Sequence, residues 1–159
     1  MTPEGYARLR AELDQIRKID RPAISAAIEV ARAHGDLKEN AEYHAAKDRQ
    51  GMIEARLRVV ESKLALAQVI DPETLSGTRV TFGATVTLLD LDTDEEHVYS
   101  IVGDEEAEFS HGLISYLAPI ARGVLGKEEG DESSFEVGAG RRKFEILHVE
   151  YKKITLAPE

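Results

Sequence analysis

Two carboxylates, Asp36 and Glu39, lie three residues apart between two stretches with helical periodicity. Placed at the start of a helix, such a pair acts as a capping box. The same two groups can bind Mg²⁺, but that ion takes six oxygens in near-octahedral geometry, so two carboxylates are too few for a separate site. They suffice to complete a site whose other ligands come from a partner and a phosphate, as in two-metal phosphoryl chemistry. A helix cap and a shared metal site are therefore the two alternatives.

The other candidate sites are weaker. Residues 90–94 space their carboxylates like a calcium loop, but Glu95 and Ile101 stand where that loop needs glycine and glutamate. The five histidines show no pair at the spacing of a zinc helix, and the chain has no cysteine. Residues 138–140 have two glycines without the third of a dinucleotide-binding loop, which favours a hairpin turn. None of these segments predicts a metal or phosphate site.

The segments around the carboxylate pair predict a long antiparallel coiled-coil hairpin over residues 1–75. Thr2 and Pro3 are a helix start, and Pro22 predicts a kink or short break. Two arms of about 30 residues, at about 1.5 Å rise per residue, would extend roughly 45 Å and project from the rest of the chain. The apolar positions recur every three or four residues: Tyr6, Leu9, Leu13 and Ile16, then Ile53, Leu57, Val60, Leu64 and Ala67.

Residues 76–159 predict a small mixed β domain, so the fold class is α+β. Alternating apolar positions predict strands at 79–82, 84–89 and 97–102, and a hairpin over 135–149. Residues 119–126 fit a short helix. Residues 71–77 include the turn-forming residues Pro72 and Gly77, which predicts a boundary between the two domains in this segment.

The composition and charge exclude several classes of protein. With 42% hydrophobic residues and no long apolar stretch, the chain is neither disordered nor expected to span a membrane. Residues 1–75 carry 12 basic and 13 acidic side chains and residues 76–159 carry 8 and 17, so their net charges are -1 and -9. Such an acidic protein should not wrap free DNA, although it can be steered to a basic surface. We expect a monomer in the cytoplasm.

Residues 29–46 (EVARAHGDLKENAEYHAA) resemble a signature of the GreA/GreB family of bacterial transcript cleavage factors. Residues 116–127 (YLAPIARGVLGK) resemble a second signature of that family, and 82–86 and 101–107 fit it as well. The resemblance covers about residues 2–151 of the chain. One departure is Ala118, where the family pattern leads us to expect a serine before the proline.

The resemblance implies a coiled-coil hairpin followed by a C-terminal domain of FKBP-like mixed β fold. In the family, the globular domain docks on bacterial RNA polymerase and the hairpin enters its secondary channel. The hairpin tip then helps the polymerase to hydrolyse a backtracked transcript near its 3′ end, so the factor is a cofactor and the catalytic centre belongs to the polymerase. This implies a Mg²⁺ held jointly with the polymerase and no cofactor bound tightly by the chain alone.

The resemblance also assigns residue roles, each with a structural alternative. It makes Asp36 and Glu39 the catalytic and metal-binding carboxylates, where a helix cap is the alternative. Glu42 and Tyr43 would support the tip, and the alternative for Tyr43 is that it covers the seam between the helices. Pro119 and Ile120 would dock on the polymerase, and the alternative is that they pack in the core of the C-terminal domain. The residues expected to contact RNA, with a solvated helix face as the alternative, are Arg32, Lys38 and Lys47.

Three other functions compete with transcript cleavage. A channel-binding inhibitor could use the same scaffold, but the intact Asp36/Glu39 pair argues against it. A prolyl isomerase, suggested by the FKBP-like resemblance, would need a pocket lined by aromatic side chains. Residues 76–159 contain only seven Phe and Tyr residues, and the core of the domain needs several of them, which argues against this function. A self-contained nuclease would need more metal ligands than two carboxylates.

Overall fold

The computed structural model describes residues 1–138 and 140–159. These divide into two compact units, one formed by Tyr6–Ala67 and the other by Met1–Gly5 together with Gln68–Glu159. The helices are α1 Pro3–Gln15, a π-helical turn Ile16–Asp20, α2 Arg21–Arg32, α3 Ala41–Leu66 and α4 Pro119–Val124. The strands are β1 Thr85–Asp90, β2 Glu96–Val102, β3 Leu113–Ser115, β4 Glu132–Val137 and β5 Gly140–Glu150. Single 3₁₀ turns cover Pro72–Thr74 and Phe109–His111. Helices followed by a mixed sheet confirm the predicted α+β class.

The helical unit is an antiparallel hairpin, in which α1, the π turn and α2 form one arm and α3 forms the other. Its predicted apolar stripe is largely buried, with Leu9, Leu13, Ile16, Leu57 and Val60 at most 6% exposed. Ion pairs also join the two arms, Arg17 to Glu61 at 2.8 Å and Arg21 to Glu54 at 2.6 Å. Burial of the apolar stripe provides most of the hairpin's stability, because exposed ion pairs contribute little.

Of the kink or short break predicted at Pro22, the break is absent, since the chain stays helical from Pro3 to Arg32 with a π turn directly before the proline. The π turn accommodates the proline, and the N–H of Arg21 donates to the carbonyl of Ile16, five residues earlier. Pro22 has no N–H to donate to a carbonyl in the preceding turn, and the wider turn before it removes the need for that bond. The helix therefore continues where the residue type alone predicts an interruption.

The globular unit is built on a five-stranded mixed sheet of order β3-β2-β1-β5-β4. All neighbouring strands are antiparallel except β2 and β3, which are parallel. One cluster of buried residues includes Leu88 of β1, Ile101 of β2, Ile146 of β5 and Val124 of α4. A second, smaller cluster joins Val102 and Leu113 to Ile154 and Leu156 near the C-terminal end. Leu88, Ile101, Ile146 and Val124 are fully buried, so this cluster is the core of the unit.

In the globular unit, the structure contradicts one predicted strand and confirms the predicted hairpin. The strand predicted at 79–82 is wrong. Val80 instead exchanges backbone hydrogen bonds with residues 126 and 127, and Tyr151 accepts from the N–H of Thr81 at 3.0 Å. These partners are distant in sequence, and they give an isolated bridge between Arg79 and Glu128 instead of a strand of the sheet. The hairpin predicted over 135–149 is confirmed as β4 and β5, while Ala139 of its turn lies outside the described residues.

The first residues of the chain pack in the globular unit through a buried carboxylate. Glu106, 6% exposed, accepts from the backbone N–H groups of Thr2 and Gly103 at 3.0 Å and from the Thr2 hydroxyl. The same hydroxyl accepts from the N–H of Gly5 at 3.1 Å, which confirms the predicted helix cap. Gly5 is needed there, since a Cβ atom would lie 2.3 Å from a Glu106 carboxylate oxygen.

Candidate functional site: the tip of the helical hairpin

Residues 33–40 connect α2 to α3 and carry both candidate carboxylates. Gly35 has φ of 118°, a conformation that favours glycine, so the chain can leave α2 in a new direction. Asp36 Oδ1 accepts from the N–H of Lys38 at 3.0 Å, which forms a tight turn within the loop. Both Asp36 and Glu39 are exposed. Their side chains are therefore accessible at the end of the hairpin.

Asn40, and not the carboxylate pair, caps helix α3. Its Oδ1 accepts from the N–H of Tyr43 at 3.0 Å, and α3 begins at the next residue, Ala41. The capping-box interpretation of Asp36 and Glu39 is wrong, because both residues precede the cap. Among the described residues, Glu39 makes no hydrogen bond or ion pair with its side chain. Neither carboxylate is needed to start the helix.

The loop and the first turn of α3 form an open concavity of about 410 Å³. Three predicted residues line it, Asp36, Glu39 and Glu42, together with His34, Asn40 and Ala41. In the part of the chain that the structure describes, no group of three or more acidic or histidine side chains has the geometry of a metal site. The two exposed carboxylates can supply two of the six oxygens that Mg²⁺ takes. The donor set therefore fits a shared Mg²⁺ site.

A second concavity, of about 560 Å³, lies between α2 and α3 and holds three of the other predicted residues. Arg32, Tyr43 and Lys47 line it, and the Lys47 ammonium donates to Gln50 Oε1 at 3.1 Å. Tyr43 is partly buried and meets the ring of His44 edge to face, with centroids 5.6 Å apart. Two cations and an aromatic ring on one concave surface can bind a phosphate and stack on a base. Lys38 does not line this concavity.

The two residues predicted to dock on a partner differ in exposure. Pro119 opens α4 and is exposed, whereas Ile120 is partly buried and packs on the core of the globular unit. Core packing, the alternative assigned to both residues, therefore accounts for Ile120. Ala118 occupies the cap position of α4 and provides no side-chain hydrogen bond there. A serine at that position would offer such a cap.

Sequence reasoning missed three residues with the exposure or contacts of functional groups. Asn40 was missed because its cap becomes visible only when the first residue of α3 is known. Tyr116 and Leu117, 41% and 56% exposed, precede Pro119 and extend the apolar surface around it. Two adjacent apolar residues before an Ala-Pro pair were the signal that could have found them.

No helix among residues 1–138 and 140–159 combines the length and the apolar character needed to cross a bilayer.

Comparison with known proteins matches both units to one family. Residues 1–69 match the family model described as "Transcription elongation factor, N-terminal", and residues 75–151 match "Transcription elongation factor, GreA/GreB, C-term". The crystal structure of GreA factor homolog 1 (Gfh1) protein of Thermus thermophilus is 26% identical and covers 94% of this chain and 97% of that chain, with a TM-score of 0.43.

Curated relatives are similar over nearly the whole chain. The transcription elongation factor GreA of Psychrobacter sp. (strain PRwf-1) is 57% identical over 153 residues, covering 96% of this chain and 97% of the relative. The protein of the same name from Francisella tularensis subsp. novicida (strain U112) is 55% identical, covering 96% of both chains. These matches confirm the resemblance found at residues 29–46 and 116–127. The chain therefore belongs to the GreA/GreB family of transcription elongation factors.

Proposed function

We propose that this chain inserts its hairpin into the secondary channel of bacterial RNA polymerase and stimulates Mg²⁺-dependent cleavage of backtracked RNA near its 3′ end. The polymerase provides the catalytic centre and the chain acts as its cofactor, as a monomer in the cytoplasm. One observation carries this proposal: Asp36 and Glu39 are exposed and line one concavity at the end of the hairpin. Family membership supplies the partner.

Asp36 and Glu39 would hold a Mg²⁺ jointly with the polymerase. Such an ion acidifies a bound water and neutralises the charge that develops on the phosphate. The chain provides the two carboxylates as oxygen ligands and as acceptors that orient the attacking water. Glu42 lines the same concavity and adds negative charge beside them, which favours cation binding.

The second concavity would hold the RNA that leaves the polymerase active centre. Arg32 and Lys47 would contact its phosphates, and Tyr43 would stack on a base. Lys38 would contact RNA from the loop. Pro119 would contribute to docking of the globular unit, because it is exposed, whereas Ile120 is held against the core.

The test is cleavage of nascent RNA in stalled, backtracked elongation complexes, with Mg²⁺ present and the factor at saturation. We expect the unmodified protein to stimulate cleavage and resumed elongation. Asp36→Ala and Glu39→Ala should each reduce the stimulated rate by about 100-fold, a typical loss when a group that stabilises the transition state is removed. Asp48→Ala is the matched control, since Asp48 is an exposed acid of α3 outside both concavities.

Three results would contradict the proposal. Slower elongation without cleavage would identify an inhibitor that uses the same scaffold. Hydrolysis of free RNA without polymerase would identify a self-contained nuclease. Stimulation that survives both tip substitutions would remove Asp36 and Glu39 from the chemistry.

A further inference from the structure

Asn40 connects the two arms of the hairpin at the base of the tip loop. While its Oδ1 caps α3 at Tyr43, its Nδ2 donates across the loop to the carbonyl of Ala31 in α2, at 2.6 Å. Ala31 is buried and Asn40 is half-buried, so this bond is partly shielded from water. One amide therefore satisfies a free N–H of α3 and, at the same time, bonds a carbonyl in the last turn of α2 that also accepts from the N–H of His34 at 3.2 Å.

The chemistry of the two partners fixes the orientation of this amide. A backbone N–H can only donate and a backbone carbonyl can only accept, so the oxygen must face Tyr43 and the nitrogen must face Ala31. Aspartate or serine can replace the acceptor at a helix cap. Neither can donate from the same place, because an ionised carboxylate has no proton and the serine hydroxyl is shorter. The cross-loop bond needs asparagine.

The loop has other contacts, and none of those that the structure describes joins α2 to α3. Asp36 Oδ1 accepts from the Lys38 N–H at 3.0 Å, and the His44 ring lies 3.3 Å from the Lys38 carbonyl through its Nε2. Of these contacts, the Asn40 bond alone fixes the end of the loop to both helices. If it is lost, the loop keeps its internal turn but loses its hydrogen bond between the two helix ends, and we expect the two carboxylates to be held less firmly.

We infer that Asn40 is a positioning residue, which holds the loop so that Asp36 and Glu39 face a Mg²⁺ together. This inference rests on the proposed function. Substitution of groups that orient metal ligands typically weakens metal affinity or activity by about 10- to 100-fold. A positioning role predicts a weaker response to Mg²⁺ while binding to the polymerase is unchanged.

Two variants isolate the cross-loop bond. Asn40→Ser and Asn40→Asp both keep an acceptor for the Tyr43 N–H and both lose the donor to Ala31. Because Asn40→Ser adds no charge and Asn40→Asp adds one, a defect shared by both cannot come from charge. Arg17→Gln is the control, since it removes the cross-arm ion pair with Glu61 away from the tip.

The first measurement is hydrogen exchange in the free, full-length protein, which does not depend on cleavage. Both Asn40 variants should speed up amide exchange within residues 34–39 by about fivefold, the scale expected when one hydrogen bond is lost. Arg17→Gln should leave exchange in those residues unchanged. If the Asn40 variants exchange the amides of residues 34–39 as slowly as the unmodified protein and Arg17→Gln do, the bond does not hold the loop and the inference is wrong.

The second measurement is a Mg²⁺ titration of cleavage in backtracked complexes. The Asn40 variants should raise the half-saturating Mg²⁺ concentration by about 10-fold, recover most of the rate at high Mg²⁺, and compete for polymerase as well as the unmodified protein does. An unchanged half-saturating concentration would overturn the positioning role. If the unmodified protein fails to stimulate cleavage, the proposed function is wrong, and the exchange result still decides whether Asn40 holds the loop.

Discussion

At the scale of single residues, the cap of α3 and the candidate metal ligands are different side chains of the same loop. Asn40 satisfies the N–H of Tyr43, which starts α3. Asp36 accepts only the N–H of Lys38 within the loop, and both it and Glu39 are exposed. Two carboxylates at the end of a hairpin that do not start its second helix are available to a ligand.

This division predicts how the free protein responds to substitution. Asp36→Ala and Glu39→Ala should change the free energy of unfolding by less than about 0.5 kcal/mol, as exposed positions usually do. Asn40→Ala should lower it by about 1 kcal/mol, because it removes a helix cap. Urea denaturation followed by circular dichroism measures all three. A loss on Asp36→Ala as large as that on Asn40→Ala would restore the capping interpretation.

The sequence located the tip residues but did not decide between their alternatives. The types and spacing of Asp36 and Glu39 predict either a capping box or a shared metal site, and the choice depends on where α3 begins. The sequence is compatible with a start of α3 after Asp36 or after Asn40, since aspartate and asparagine are both good helix caps. The contact between Asn40 and Ala31 depends on how the chain reverses, which no periodicity predicts.

At the scale of helices and strands, prediction worked where apolar periodicity is long and failed where neighbouring segments supply hydrogen bonds. The stripe along α1 and α3 predicted the hairpin, and the alternation in β1, β2, β4 and β5 predicted most of the sheet. Residues 79–82 also alternate, yet their backbone groups bond to residues 126–127 and to Tyr151. Strand β3 has three residues, too few for an alternating pattern to be recognised.

The turn between β1 and β2 shows how one acidic residue stabilises an element. Asp90 Oδ1 accepts from the N–H groups of Asp92 and Thr93 at 2.9 and 3.2 Å, and Oδ2 lies 3.0 Å from the Arg142 guanidinium. Burial alone would raise the pKa of Asp90. The two amide hydrogen bonds and the positive charge of Arg142 outweigh that effect, so its pKa lies below the ordinary value.

A lowered pKa in the folded protein makes the ionised form of Asp90 stabilising. That stabilisation is complete above the unfolded-state pKa of about 3.9, and it is lost as the pH falls through the lower folded-state pKa. Asp90→Asn should therefore be less stable than the unmodified protein near neutral pH, and the difference should shrink below about pH 4. Urea midpoints measured across this range test it, with Asp92→Asn as the exposed control. A difference that stays constant down to the lowest pH would refute the ionic contribution.

At the scale of the whole molecule, the globular unit contains residues from both ends of the chain, and the helical unit contains the residues between them. Met1–Gly5 belong to the globular unit, where the Thr2 N–H donates to Glu106 at 3.0 Å. Partners more than a hundred residues apart in sequence leave no local pattern, so the sequence placed these residues in the hairpin domain. Helix α1 therefore begins in one unit and continues into the other.

With the tip carboxylates in the helical unit and Pro119 in the globular unit, the proposed function predicts that binding and chemistry separate on substitution. Pro119→Ala should raise the factor concentration for half-maximal cleavage by about 10-fold and leave the rate at saturation unchanged. Asp36→Ala should do the opposite, lowering the saturating rate without changing the half-maximal factor concentration, because the proposed role of Asp36 is at the Mg²⁺ and the attacking water and not in docking. Ile120→Ala is a poor probe of docking, since its partly buried side chain packs on the core.

Cleavage rates measured across a range of factor concentrations, with polymerase binding measured by competition, distinguish the two effects. A double variant, Pro119→Ala with Asp36→Ala, should show the binding defect and the rate defect each at the size measured in the single variant, because sites without shared partners usually act additively. If Pro119→Ala instead lowers the saturating rate, docking and chemistry are coupled, and the globular unit takes part in setting the position of the tip. An unchanged half-maximal concentration would mean that Pro119 lies outside the docking surface, and the exposed Tyr116 and Leu117 beside it would be the next side chains to substitute.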